Sequence, residues 1–206
     1  MKKFEMTSES IVHIGRTLYR IKALIDFGNV KAGELGGYIE KEDNLSHLSN
    51  AWVSGDARVS GDAKVYGNAC VSGNAWVYGN AEVYGDALVY ENAWVSGDAK
   101  VYENAEVFGN ARVYGDAEIY EGAHLLQIGS IGSRNDTVTF FRTKSKDIYV
   151  KCGCFSGSLS EFETAVVKTH TGNKHEITYK LAIQLAKTQI NLSMEENNDA
   201  QKKEEC

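Results

Sequence analysis

Four residues near the C-terminal end are of the types that bind metal. Cys152 and Cys154 flank a glycine, and His170 and His175 follow with an H-x4-H spacing. Thiolate and imidazole are the donors zinc prefers. The cysteines are spaced more tightly than the usual C-x(2–4)-C, however, and Ile148, Val150, Cys152 and Cys154 alternate as one face of a strand would. A free cysteine on such a face behaves as a small buried apolar residue. That reading, with no metal and no cofactor, is the expectation. A second candidate is the turn Ser133-Arg134-Asn135-Asp136, which follows Gly132. Backbone N–H groups in a glycine-led turn can nest an anion, and with Arg134 they would suit a small anionic nucleotide. The segment lacks phosphate-loop spacing, and a turn closing a structural unit needs no ligand. His13, His47 and His124 are general bases by type, but none has a partner identifiable in the sequence.

These residues must be positioned by a stretch that says one thing repeatedly. From Val53 to Ile119 a branched aliphatic falls every sixth residue, and Leu125 extends the series. An alanine stands four residues after each, from Ala57 to Ala123, and a turn pair such as Gly67-Asn68 or Gly97-Asp98 lies between. Unbroken self-similarity at six residues is the mark of a hexapeptide β-helix. Valine fits a pleated, half-buried surface, and alanine two residues before the next valine points the same way. Gly followed by Asn or Asp permits the positive φ of a tight corner. A run of two-residue hairpins is the rival reading. It leaves the whole Ala/Val face needing a cover that the rest of the chain is too short to supply. Coiling turns that face inward.

The outward residues choose the period. At eighteen residues the position before each valine sorts into Lys64, Glu82, Lys100, Glu118 on one wall. A second wall holds Arg58, Trp76, Trp94, Arg112, and a third Trp52, Cys70, Leu88, Glu106 and His124. At twelve residues Lys100 would stack on Arg112 and Glu106 on Glu118. Like charges directly opposite destabilise and opposite charges help, by up to about 1 kcal/mol each, so three hexads make a coil. Tyr66, Tyr84, Tyr102 and Tyr120 then form a ladder, read as structural. The wall of Arg58, Trp76, Trp94 and Arg112, with Tyr78 and Tyr114 beside it, has the composition of interface hot spots. It is the expected binding surface, with self-association into a dimer or trimer as its first use.

The motif Val-(Ser/Tyr)-Gly-(Asp/Asn)-Ala-x resembles that of the left-handed parallel β-helix, the triangular hexapeptide-repeat fold best known from bacterial acyltransferases. The left hand is implied by this resemblance. Enzymes of that family use a histidine as general base, with coenzyme A along a groove between neighbouring prisms, which would give the base role here to His124. They usually throw a loop out from the coils, and this sequence has no insertion between Val53 and Ala123. Coenzyme A-dependent acyl transfer is therefore the alternative function. The flanks GELGGYIEKEDNLS, IGSIGSRNDTVTFFRTK and IYVKCGCFSGSLSEF resemble those of hexapeptide-repeat proteins encoded by phages and bacterial prophages, which carry loose labels such as polymer-forming or transferase-like. That resemblance implies a host macromolecule as partner, with inhibition or sequestration of a defence component as the role.

The 206 residues carry 22 basic and 28 acidic side chains, a net charge of −6, which argues against a general nucleic-acid grip. No apolar run follows Met1-Lys2-Lys3, so no secretory leader is expected, and no stretch approaches the ~20 apolar residues of a membrane span. Four irregularly spaced cysteines are not a disulfide framework, which fits a reducing cytoplasm. Residues 1–50 read as a small β cap, with a hairpin about Gly15-Arg16. Such a cap keeps the end coil from presenting unpaired N–H and C=O groups. Residues 51–125 are the β-helix of about four coils. Residues 126–192 read as a ββαα unit: a polar loop over 128–136, a hairpin turning at Lys144–Asp147, and a helix opened by the capping box Ser158–Glu161 with Leu159, Phe162 and Val166 inward. A second helix from Lys174 would bury Ile177, Leu181 and Leu185. Residues 193–206 read as a disordered tail. The expected protein is a mainly β, rigid, non-catalytic oligomeric binding scaffold. Acyl transfer is the first alternative, and nucleotide binding at the Arg134 turn the second.

Overall fold

In the computed structural model, which describes residues 2–193, the repeat winds as a parallel β-solenoid. Twelve two-residue strands run from β4 (Trp52–Val53) to β15 (Glu118–Ile119) at six-residue intervals. Each stacks in parallel on the strand eighteen residues away: Arg58 on Trp76, Trp76 on Trp94, Trp94 on Arg112. Lys64, Glu82, Lys100 and Glu118 share another wall, and Trp52, Cys70, Leu88 and Glu106 the third. No hairpin occurs within the repeat. The inward valines and alanines are 0–1 % exposed, ending at Ile119, so the repeat is its own core. At the corners Gly73 and Gly97 take φ of +68° and +70°. A Cβ on Gly97 would come within 2.8 Å of the Gly115 nitrogen in the next coil.

The N-terminal hairpin is longer than expected. Strand β1 (Phe4–His13) starts well before the predicted hairpin, and it turns through Ile14-Gly15, one residue earlier than predicted, into β2 (Arg16–Ala23). Register shifts in the pairing of β2 with β1 and with the strand that follows it break the simple alternation, so Leu18 and Ile21 are both buried. Strand β3 (Leu35–Ile39) pairs with β2 on one side and in parallel with Arg58–Val59 on the other. Leu45 bridges Val65. These contacts add a partial coil ahead of the four complete ones, at a spacing of twenty residues that a six-residue pattern does not reveal. Phe4, Ile21 and Leu45 join the solenoid core and close its open end.

Beyond the last coil the expected 128–136 loop is mostly strand. Strands β16 (Leu125–Ile131), β17 (Asp136–Arg142), β18 (Ile148–Cys152) and β19 (Phe155–Ser158) form an antiparallel meander in sequence order. The unit is thus four strands and two helices. Its sheet has two apolar faces. Phe141 and Tyr149 pack onto the solenoid core, while Val138, Phe140, Ile148 and Val150 pack beneath the helices. Helix α1 (Leu159–His170) has the predicted capping box, with Ser158 Oγ accepting from the Glu161 N–H, and it buries Phe162 and Val166. Helix α2 (Lys174–Gln189) corrects the sequence reading. It buries Tyr179, Ala182, Ile183 and Ala186, and leaves Ile177, Leu181 and Leu185 exposed at 64, 60 and 43 %. The tail from Met194 onward lies outside the described residues. No helix among the described residues is long and apolar enough to cross a membrane.

Candidate functional site

The predicted Trp/Arg wall forms in register, but it divides into a covered half and an open half. The N-terminal hairpin continues the sheet of this wall and covers its upper rungs. Trp76 is 6 % exposed, donates its indole N–H to Ser60 Oγ at 3.2 Å, and meets the edge of His13 at 4.5 Å between centroids. Arg58 is half-buried with its Nε shielded. Neither Trp76 nor Arg58 is therefore the free hot spot the sequence suggested. The lower rungs stay open. Arg112 lies over the Trp94 ring at 4.7 Å, a cation–π contact. Trp94 meets Trp76 edge-on, and Trp76 in turn stacks on Tyr78.

The C-terminal sheet rises beside these rungs and makes the second wall of a cleft. Tyr114 wedges against Phe141 and Tyr149 at 5.7 Å each, and its hydroxyl bonds to Ser156 Oγ. Burial pushes the Tyr114 phenol above its ordinary pKa, so it stays neutral. Between the walls lies a cavity of about 460 Å³ lined by Tyr78, Trp94, Arg112, Tyr114, Lys151 and Ser156, among others. It runs on past Arg112 and Lys151 towards Asn110, Thr139 and Asp136. Neither Arg112 nor Lys151 has a carboxylate partner among the described residues. Two uncompensated cations thus face three aromatic rings. Sequence reasoning missed Lys151 and Ser156. Alternation with Val150 and Cys152 does put Lys151 on the opposite strand face, but nothing local says that this face meets the solenoid.

Two of the candidate bases have hydrogen-bond partners, whereas His13, edge-on to Trp76, has none for its buried Nε2. His124 was expected in an outward slot and is 0 % exposed, inside a short 3-10 turn (Gly122–His124) that replaces the next rung. Its Nδ1 accepts the Tyr120 N–H at 3.3 Å, and its Nε2 lies 3.0 Å from a Glu121 carboxylate oxygen. Burial holds its pKa below the usual histidine value against the opposing pull of Glu121. His47 spans the Lys3 N–H and Glu42. His13 is pushed down by burial and by Arg58.

The zinc set does not assemble. Cys152 Sγ sits 3.7 Å from the Tyr179 hydroxyl, while Cys154 lies beyond the strand end, exposed, with Arg134 Nη1 at 3.4 Å. No group of three His, Cys, Asp or Glu side chains among the described residues converges as metal ligands. Several of these residues instead line a second chamber, of about 240 Å³, under helix α1. Ser133, Arg134 and Asp136 of the predicted ligand turn are there, with Cys152, Cys154 and His170 of the predicted zinc set. Asn135 supplies a left-handed turn residue, at φ +52°, and is not part of the lining. Tyr179 also lines the chamber and was not anticipated.

No curated protein matches this chain. A family model described as the YdcK beta-solenoid repeat matches residues 63–79 and 81–97, so the middle coils are similar to that repeat and the solenoid read from the geometry has a counterpart in sequence.

Proposed function

We propose that the protein is a non-catalytic β-solenoid scaffold whose docking site is the cleft between the lower Trp/Arg rungs and the C-terminal sheet. The observation that carries this reading is the pairing of Arg112 and Lys151, both without carboxylate partners, with Tyr78, Trp94 and Tyr114 around one opening. In a chain of net charge −6, such a spot focuses field for an acidic ligand, and the rings supply the large contact area of hot spots. The partner in this reading is a protein segment bearing carboxylates beside an aromatic or large apolar residue. The resemblance of the flanks to phage and prophage proteins supports a host protein, a defence component among them, as its source. Self-association into a dimer or trimer belongs to the same reading, because repeated clefts add avidity. Light scattering of the full chain measures it. Acyl transfer is not favoured by any observation, since His124 is sealed.

The test is capture from host lysate by the immobilised full chain, run in parallel with Arg112→Glu/Lys151→Glu. A specific partner should be held by the parent and released by moderate salt, and it should be lost from the double variant. Both residues are solvent-facing or half-buried, so the variant should stay folded and lose only the modest contribution of the Arg112–Trp94 contact to its melting temperature. A partner retained equally by both proteins would sink the reading. Acetyl-coenzyme A should leave the melting temperature unchanged.

A further inference from the structure

The second chamber lies on the other face of the C-terminal sheet from the cleft. Phe162 and Val166, 3 % exposed each, make its apolar floor with Phe155. Phe155 and Phe162 pack at 5.0 Å, and Phe162 meets Tyr179 edge-on at 5.5 Å. The rim is charged. Arg134, on the turn between β16 and β17, and Asp136, the first residue of β17, stand two residues apart, and neither forms an ion pair among the described residues. The Arg134 guanidinium has the Cys154 sulfur as its hydrogen-bond partner, and one Asp136 oxygen accepts the Thr137 N–H. Tyr179 is 7 % exposed, and its hydroxyl has only the Cys152 thiol, at 3.7 Å, among the described residues. A thiol is a weak partner, so this buried hydroxyl has bonding capacity left over at the edge of the chamber. Its place is fixed by Gly132, where any Cβ would collide with the phenol.

An apolar pocket with one free cation, one free carboxylate and a spare hydroxyl is complementary to a zwitterion. We propose that this chamber binds a free α-amino acid with an aromatic or branched apolar side chain. Arg134 and the Tyr179 hydroxyl take the α-carboxylate, Asp136 takes the α-ammonium, and the side chain rests on Phe155, Phe162 and Val166. Guanidinium–carboxylate and carboxylate–ammonium contacts are charge-assisted and directional, and the apolar floor sets the side-chain class. The chamber and the cleft share Asp136 at the sheet edge, but Arg134, Tyr179 and the apolar floor line the chamber alone.

The test uses the full chain in calorimetric and thermal-shift titrations. The probes are L-phenylalanine, L-leucine, phenethylamine, which lacks the carboxylate, and 3-phenylpropionate, which lacks the ammonium. The two amino acids should raise the melting temperature at millimolar concentration, and the two single-charge analogues should not. Arg134→Gln and Asp136→Asn should each weaken L-phenylalanine about tenfold or more, without lowering the melting temperature of the free protein, because both side chains are exposed. Trp94→Ala should bind L-phenylalanine like the parent, which separates this site from the cleft. Binding of 3-phenylpropionate as tight as that of L-phenylalanine would remove the role of Asp136 and overturn the zwitterion assignment. So would the absence of a shift with every probe.

Discussion

Lys3 is 1 % exposed, with its ammonium bonded to the carbonyls of Ala51 at 2.7 Å and Ser49 at 3.3 Å and lying 4.8 Å from the Phe27 ring. Burial lowers its pKa to about 8 from the ordinary 10.5. Between those values the unfolded chain holds the proton and the folded chain does not, so the stability tied to this group rises with pH across that window and is least below pH 8. Tyr66, kept neutral chiefly by burial and then by the Glu82 carboxylate, works against stability only above about pH 10. The parent minus Lys3→Met stability difference, from urea melts, should therefore grow by about 2 kcal/mol between pH 7.5 and 9.5; a flat difference would mean that Lys3 titrates normally. Residues of the repeat were legible in register but not in partner. The eighteen-residue stack of Lys64, Glu82, Lys100 and Glu118 is right, yet Glu82 accepts from Tyr66 at 2.8 Å and Glu118 pairs with Arg142 at 3.2 Å. The corner residues Asn50, Asn68 and Asp86 form a side-chain ladder at the same eighteen-residue period. Tyr66, Tyr84 and Tyr102 stack at 4.8 and 4.9 Å, as the period required.

Helix α2 shows why an element can be found while its buried face is misjudged. It carries two candidate stripes, Ile177, Leu181 and Leu185 one turn apart, and Tyr179, Ala182, Ile183 and Ala186. Hydrophobicity favours the first. The sheet and helix α1 select the second, because alanines let the helix approach closely, and no sequence signal carries that distance. Helix α1 has a single apolar stripe and was read correctly. Leu181→Gln should change stability by no more than about 0.5 kcal/mol, whereas Ile183→Ala should cost about 2–4 kcal/mol; the opposite order in chemical melts would restore the original face. Residues 128–131 of strand β16 read as loop from sequence because Gly129 and Ser130 interrupt the apolar residues, and the structure accommodates them with a register shift between Ile128 and Ile131. Strand β3 is set by steric demand. A Cβ on Gly36 would lie 2.6 Å from both Ile21 Cγ1 and the Val53 carbonyl oxygen. Gly36→Ala should thus lower cap stability by about 1–3 kcal/mol and lower the melting temperature, while Gly115→Ala, with open space around its Cβ, should cost less and only through its positive φ.

The whole molecule behaves as a stack whose length in hexads decides which units share a wall. The inward valines and alanines are alike on all three walls, so removing whole hexads leaves a filled core and alters only what is stacked outside it. Residues 91–102 can be removed without a scar: Tyr90 would be followed by Glu103, which holds φ +53° as Glu91 holds φ +60°, and an asparagine-alanine pair follows in either case. Losing twelve residues turns everything C-terminal by one wall. Arg112 would then stack on Glu82 rather than on Trp94, and Tyr114 on Tyr84. The guanidinium gains a carboxylate and loses its indole, and the cleft loses the Trp94 and Ser96 part of its wall, so both its shape and its chemistry change. The deletion variant should give an unchanged β signature by circular dichroism and a single cooperative melt, yet fail to hold the partner retained by the parent. Its response to L-phenylalanine should persist, because the α1 chamber travels intact with the C-terminal unit. A deletion protein that still captures the partner would show that the stacking of Arg112 on Trp94, and with it the shared wall, is not what the partner reads.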